Sequence, residues 1–125
     1  MKESITILNP SGYKSKAVSR SFEMEMDRPL KEGGTNEAPT PVEYLLTAIG
    51  GCVAMTLKHF VDRKQWDVGA ITVKVIQKEE LTKKGIEKQL LEEISVEKEI
   101  NTLRLYVLMT NVKCLFLFPI FDSSN

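Results

Sequence analysis

Thr40-Pro41-Val42-Glu43-Tyr44-Leu45-Leu46-Thr47-Ala48-Ile49-Gly50-Gly51-Cys52 is the stretch that decides the fold. Thr40 can accept a backbone N–H as N-cap. Pro41 at the first helical position gives up a donor that would be unpaired there anyway, and Glu43 falls three residues after the cap, completing a capping box. The spacing predicts a helix running to about Lys64. Leu45, Ile49, Cys52, Thr56 and Phe60 share one face of it, and Leu46, Gly50, Val53, Leu57 and Val61 share the adjacent one. Charge returns only at Lys58, Asp62, Arg63 and Lys64. Apolar residues on nearly all sides predict a helix covered by more than one layer. Gly50-Gly51 is out of place inside it, where each glycine costs about 1 kcal/mol relative to alanine. Close approach of another backbone, such as that of a second subunit, is the simplest compensation.

Upstream of this helix, Arg28 to Pro39 carries Pro29, Gly33, Gly34, Asn36 and Pro39 and reads as a loop. Before the loop, Ile5 and Ile7, a turn at Asn9-Pro10-Ser11-Gly12, and then Val18, Phe22, Met24 and Met26 predict the two strands of a hairpin. Phe22 to Asp27 alternates apolar and acidic, so one face meets a core and the other water. Downstream, Ile71, Val73 and Val75 alternate with Thr72 and Lys74. A Lys83-Lys84-Gly85 turn then leads to Leu90, Ile94, Val96 and Ile100 on one parity, which predicts a long hairpin. Asn101 is placed to cap a short second helix over 102–113. Strands, long helix, strands, short helix: the order is α+β, with an antiparallel sheet against the helix.

The chain has 125 residues and reads as a single domain over 1–125. Seventeen Lys plus Arg balance seventeen Asp plus Glu. A domain that grips nucleic acid through its phosphates is usually strongly basic, so no nucleic-acid partner is expected. The N-terminus lacks the cationic and apolar regions of a leader. The uncharged stretch from Tyr44 to Leu57 falls short of the about 20 residues of a membrane span. A cytoplasmic core helix and no membrane partner are expected. Two cysteines, Cys52 and Cys114, are too few for a disulfide scaffold and lack the paired spacing of a zinc site.

Cys52 can be a packed thiol or a nucleophile. The thiolate is the reactive form, and the helix dipole fades within the first turn. A reactive Cys52 therefore needs a cation from elsewhere in the fold. Glu43 can be purely a capping residue, or it can also orient an arginine through a bidentate ion pair. His59 lacks the further ligands a metal would need, and the lone Trp66 reads as a packing residue.

Gly33-Gly34-Thr35-Asn36 followed by Ala38-Pro39-Thr40-Pro41-Val42-Glu43 and Leu45-Leu46-Thr47-Ala48-Ile49-Gly50-Gly51-Cys52 resembles the signature of the OsmC/Ohr family, most closely the OsmC-like subgroup of redox proteins. The resemblance covers roughly residues 15 to 100. It implies an OsmC-like fold: an antiparallel sheet wrapped around a long central helix, in an intertwined homodimer. It also implies a thiol-dependent peroxidase that reduces organic hydroperoxides with electrons from a dithiol reductant, and needs no flavin, metal or haem. Cys52 matches the peroxidatic cysteine and Cys114 the resolving one. Glu43 would hold the activating arginine. Arg20 is the candidate for that cation, with Lys14 and Arg28 as alternatives. Lys113-Cys114-Leu115-Phe116 departs from the family's Lys-Cys-Pro-Val, and residues 115–125 read as an atypical tail such as a shifted reading frame would produce. The competing reading is a non-catalytic dimer of this fold that binds a small apolar ligand at the subunit interface.

Overall fold

A computed structural model describes residues 2–98 of the chain. The second helix expected over 102–113, Cys114 and the 115–125 tail lie outside the described residues. Two compact units divide between Leu45 and Leu46.

The first unit is built on a three-stranded antiparallel sheet in the order β1 (Ile5–Leu8), β2 (Ser15–Ser19), β3 (Phe22–Met26). The sequence suggested two strands here. The segment from Val18 to Met26 folds back on itself at Arg20-Ser21, so that Ser19 pairs with Phe22 and Ala17 with Met24. Arg20 takes φ 56° at the first central position of this two-residue turn, a place usually given to glycine. No Gly, Asn or Pro marks the turn, which is why the alternation seemed to run through it. A loop follows, with a short 3-10 turn at Leu30–Glu32 closed by Gly33 at φ 86°.

α1 (Pro41–Arg63) starts where the sequence placed it. The Thr40 N–H donates to Glu43 Oε1 and the Glu43 N–H donates to Thr40 Oγ1, both at 3.1 Å, so the capping box is closed. The helix then carries one buried stripe of Ile49, Val53, Leu57 and Val61, four residues apart. Among the described residues the helix is covered along this stripe alone. Val42, Leu45 and Met55 are exposed, Met55 by 76%. By length and composition this helix would suffice to cross a membrane.

In the second unit, β4 (Ile71–Thr82) and β5 (Gly85–Val96) form an antiparallel hairpin around Lys83-Lys84, with Val73 opposite Ile94 and Ile71 opposite Val96. Val53, Leu57, Val61 and Val68 make the core, with Phe60, Trp66, Ile71, Val73, Ile94 and Val96 packed on it. Trp66 meets Phe60 edge-on at 5.8 Å between ring centres, the packing role its sequence context suggested. Leu90, expected on the inner parity with Ile94 and Val96, is 45% exposed. It lies beyond the part of the hairpin that the helix covers.

Candidate functional site

Cys52 lies on α1 between the buried positions Ile49 and Val53, yet its own side chain is exposed. The sequence reading put this thiol three turns inside a buried helix; the structure puts it at the surface of one. The stripe that packs on β4–β5 repeats every fourth residue through Ile49, Val53 and Leu57, and Cys52 falls one residue off it. At about 100° per residue that single step turns the side chain well away from the hairpin. A thiol in this position can meet a small molecule from solvent.

A Cβ at Gly50 would sit 3.5 Å from Val75 Cγ2 and 3.8 Å from the Val73 carbonyl oxygen, which is ordinary van der Waals contact with the strand that starts at Ile71. Gly51 behaves differently: a Cβ there would meet nothing within 4 Å. Close backbone approach within the chain therefore requires glycine at neither position. A groove of about 540 Å³ runs along this surface, lined by Leu46, Thr47, Gly50, Gly51 and Ala54 of α1 and by Ile71 to Val73 and Val75 of β4.

Glu43 stands nine residues before Cys52 on the same helix. Nine residues are two and a half turns, which separate the two along the axis by about 13 Å and place them on opposite sides. A single α1 therefore does not bring the two together. Cys114 lies outside the described residues. His59 is exposed, and the described residues contain no group of three His, Cys, Asp or Glu placed to hold a metal ion.

The three candidate cations belong to the first unit. The Arg20 guanidinium lies over the Phe22 ring at 4.9 Å, within its own hairpin turn. Lys14 donates to Glu37 at 2.8 Å and lies 3.9 Å from Glu25. The Glu37 hydrogen bond, and then the charges of Glu25 and Glu37, raise the Lys14 pKa above its ordinary value. Arg28 places its guanidinium over the Tyr13 ring at 4.1 Å, and among the described residues it forms no ion pair with a carboxylate. Lys14 is thus committed to carboxylates, while Arg20 and Arg28 each lie over an aromatic ring.

One residue of this region was not anticipated. Asp27 ends the alternating strand at a position expected to face water, and it is 1% exposed. Its Oδ2 accepts from Thr35 Oγ1 at 2.6 Å, from the Thr35 N–H at 3.3 Å and from the Glu37 N–H at 3.2 Å; its Oδ1 accepts from the Arg28 N–H at 2.7 Å. These donors, the Thr35 hydroxyl first, lower the carboxyl pKa to about 2 against the opposing effect of burial. The Asp27 N–H donates to the Pro39 carbonyl at 3.1 Å. Gly34 is obligatory beside it, because a Cβ there would collide with the Arg28 carbonyl. The sequence did hold a signal: an acid at the end of a strand, followed by a glycine pair and Thr35, has backbone donors within reach.

The profile of the OsmC-like protein family matches residues 34–114. No curated protein matches the chain. Among solved structures, the fold is similar to that of a protein from Psychrobacter arcticus 273-4 described as an osmotic stress induced and detoxification response protein. That similarity has a TM-score of 0.74 at 16% identity, covering 90% of this chain and 82% of the other. An OsmC-like protein from Mycoplasma pneumoniae is similar at a TM-score of 0.68 and 19% identity, over 90% and 79% of the two chains. An organic hydroperoxide resistance protein OsmC from Legionella pneumophila is similar at 0.66 and 11%, over 90% and 81%. At these identities the structures speak for the fold, an α+β arrangement of antiparallel strands and a long helix. The profile spans well over half of the residues and includes the capping box, Gly50-Gly51 and Cys52, and on that ground the chain belongs to the OsmC family.

Proposed function

We propose that the protein is a cysteine-based peroxidase that reduces organic hydroperoxides, working as a cytoplasmic homodimer with Cys52 as its nucleophile. The observation that carries this reading is the exposed Cys52 thiol on α1, in a chain of the OsmC family. The organic hydroperoxide resistance protein from Legionella pneumophila, similar in fold, points to the same substrate class.

In the proposed reaction the Cys52 thiolate attacks the outer oxygen of the hydroperoxide. The O–O bond breaks, the sulfur is oxidised to a sulfenic acid, and the alkoxide leaves as the alcohol after taking up a proton. A cation beside the thiolate favours its ionised form and the charge that develops on the departing oxygen. Arg20, Lys14 and Arg28 are the candidates, with Glu43 holding the cation in place. The sulfenic acid then condenses with the Cys114 thiol, releasing water and forming a disulfide. A dithiol reductant restores both thiols and is itself oxidised to a disulfide. Because Glu43 and Cys52 lie on opposite sides of one helix, their cooperation calls for Glu43 of a second copy of the chain. The exposed Val42, Leu45 and Met55 give such a copy an apolar surface to cover.

Mass spectrometry of Cys52 after one equivalent of an alkyl hydroperoxide tests the reading. Stoichiometric oxidation of Cys52, with release of the alcohol, is expected; an unmodified thiol overturns it. A second reading, a non-catalytic dimer that binds a small apolar ligand, draws support from the groove lined by Leu46, Ala54, Ile71 and Val73. Under that reading Cys52 stays reduced.

A further inference from the structure

In the second unit, β4 pairs with β5 along one edge and with no other strand among the described residues. Successive residues of an antiparallel strand turn their N–H and C=O groups alternately towards the partner and away from it. The Glu97 N–H donates to the Ala70 carbonyl at 2.9 Å, which sets the phase. Thr72 and Lys74 therefore bond to β5, while Ile71, Val73 and Val75 direct their backbone groups to the open edge. These three residues line the groove of about 540 Å³, whose other wall is the Thr47, Gly50 and Ala54 side of α1. Leu46 aside, that wall carries only small side chains, so an occupant has to supply the bulk.

An edge of unpaired donors and acceptors beside apolar space accepts an extended apolar segment. Leu115-Phe116-Leu117-Phe118 has that character: four large apolar residues without a charge, then Pro119, which lacks the N–H a continuing ladder would need. Extended, the four residues cover about 13 Å, the length of positions 71–75 of β4. Alternation puts the two leucines on one face and the two phenylalanines on the other, so either register brings two bulky side chains under α1. The Lys98 N–H is held by the Val68 carbonyl at 2.9 Å, beside the start of β4. Residues 99–114 link that point to the segment and reach up to about 50 Å when extended. A link of that length gives the segment an effective concentration at the groove on the order of millimolar, which a separate partner would have to match in solution.

We propose that residues 115–118 dock in this groove as a third strand on the open edge of β4. The inference stands apart from the peroxidase reading, though it bears on Cys114, the residue before the strand. Gly50 and Ala54 are each two residues from Cys52, about 200° around the helix. The docked segment thus lies on the side of α1 away from the Cys52 of its own chain.

Amide hydrogen exchange on the full chain, resolved by residue with nuclear magnetic resonance, tests the docking in wild type and in Leu117→Pro. Thr72 and Lys74, bonded to β5, are the internal reference. In wild type the N–H groups of Ile71, Val73 and Val75 should be protected alongside them. In Leu117→Pro the protection of those three should fall by about tenfold, while Thr72 and Lys74 keep theirs. Where the proline variant does not fold, Phe116→Ala thins the docked face without removing a backbone donor, and it should speed the same three amides by a smaller factor. Fast exchange at Ile71, Val73 and Val75 in wild type would mean an open edge and overturn the proposal. Protection that survives the substitutions overturns it as well: if it weakens on dilution, a second copy covers the edge, and if it does not, another part of the chain does.

Discussion

Cys52 and Asp27 both defied the pattern of their segments, in opposite directions. The thiol sits in the most apolar part of the chain and is exposed; the carboxylate ends an alternating acidic strand and is buried. Hydropathy patterns describe the average surroundings of a segment, whereas each of these side chains is placed by one residue's offset from a stripe or by local donors. Cys52→Ser, a nearly isosteric change at an exposed site, should abolish peroxide consumption and leave the melting temperature within a degree or two. Undiminished turnover in that variant would refute the catalytic role. Asp27 makes a prediction about acid. Its folded-state pKa of about 2 lies below the ordinary 3.8, so the folded protein holds this proton less tightly than the unfolded chain. Its stabilising contribution is complete above about pH 4 and is lost as the pH falls towards 2. Asp67, lowered by its hydrogen bond from Lys98, adds a loss of the same sign. An acid-unfolding curve of Asp27→Asn should be flatter than that of wild type across this range.

Elements with punctuation at their ends were legible in the sequence. Thr40-Pro41-Val42-Glu43 fixed the start of α1, and Lys83-Lys84-Gly85 fixed the tip of the second hairpin. Arg20-Ser21 carried no such mark, and the turn between β2 and β3 went unread. Thr40→Ala removes the acceptor for the Glu43 N–H and should destabilise the protein by about 1 kcal/mol. Leu57→Ala should cost about 2–5 kcal/mol, because Leu57 is 1% exposed at the centre of the packed stripe. Chemical denaturation of the two variants checks both values, and their order follows from position: one is a helix end at the surface, the other a cavity in the core.

At the scale of the whole molecule, the sequence pointed to a helix that one chain cannot bury. Among the described residues, Val42, Leu45 and Met55 of α1 are exposed. Gly51 turns that into a measurement. Within one chain a larger side chain at this position meets nothing, and in an isolated helix the change from Gly should be favourable by about 0.8 kcal/mol. Gly51→Leu should therefore fold well as a single chain. If a second copy packs there, sedimentation at micromolar concentration should show a dimer for wild type and a shift towards monomer for the variant. A monomeric wild type would count against the intertwined architecture. The proposed disulfide has its own assay, since its two Cα atoms must come within about 7 Å. With Leu115-Phe116 after Cys114, peroxide is expected to oxidise Cys52 without efficient formation of the internal disulfide, and excess peroxide to drive it on to sulfinic acid. Peptide mapping that found a dominant Cys52–Cys114 disulfide would show the second thiol in place.

The single tryptophan of the chain, Trp66, is packed edge-on against Phe60 beside the core of the second unit, while Asp27 belongs to the first. Light absorbed by the indole alone is consequently a private channel: its emission colour reports on one half of the molecule. Circular dichroism sums over both halves. Followed side by side through an acid titration, the two signals become a test of cooperativity. Coincident curves would mean that the two units lose their structure together in acid, and an indole signal that lags would mean that they come apart in sequence.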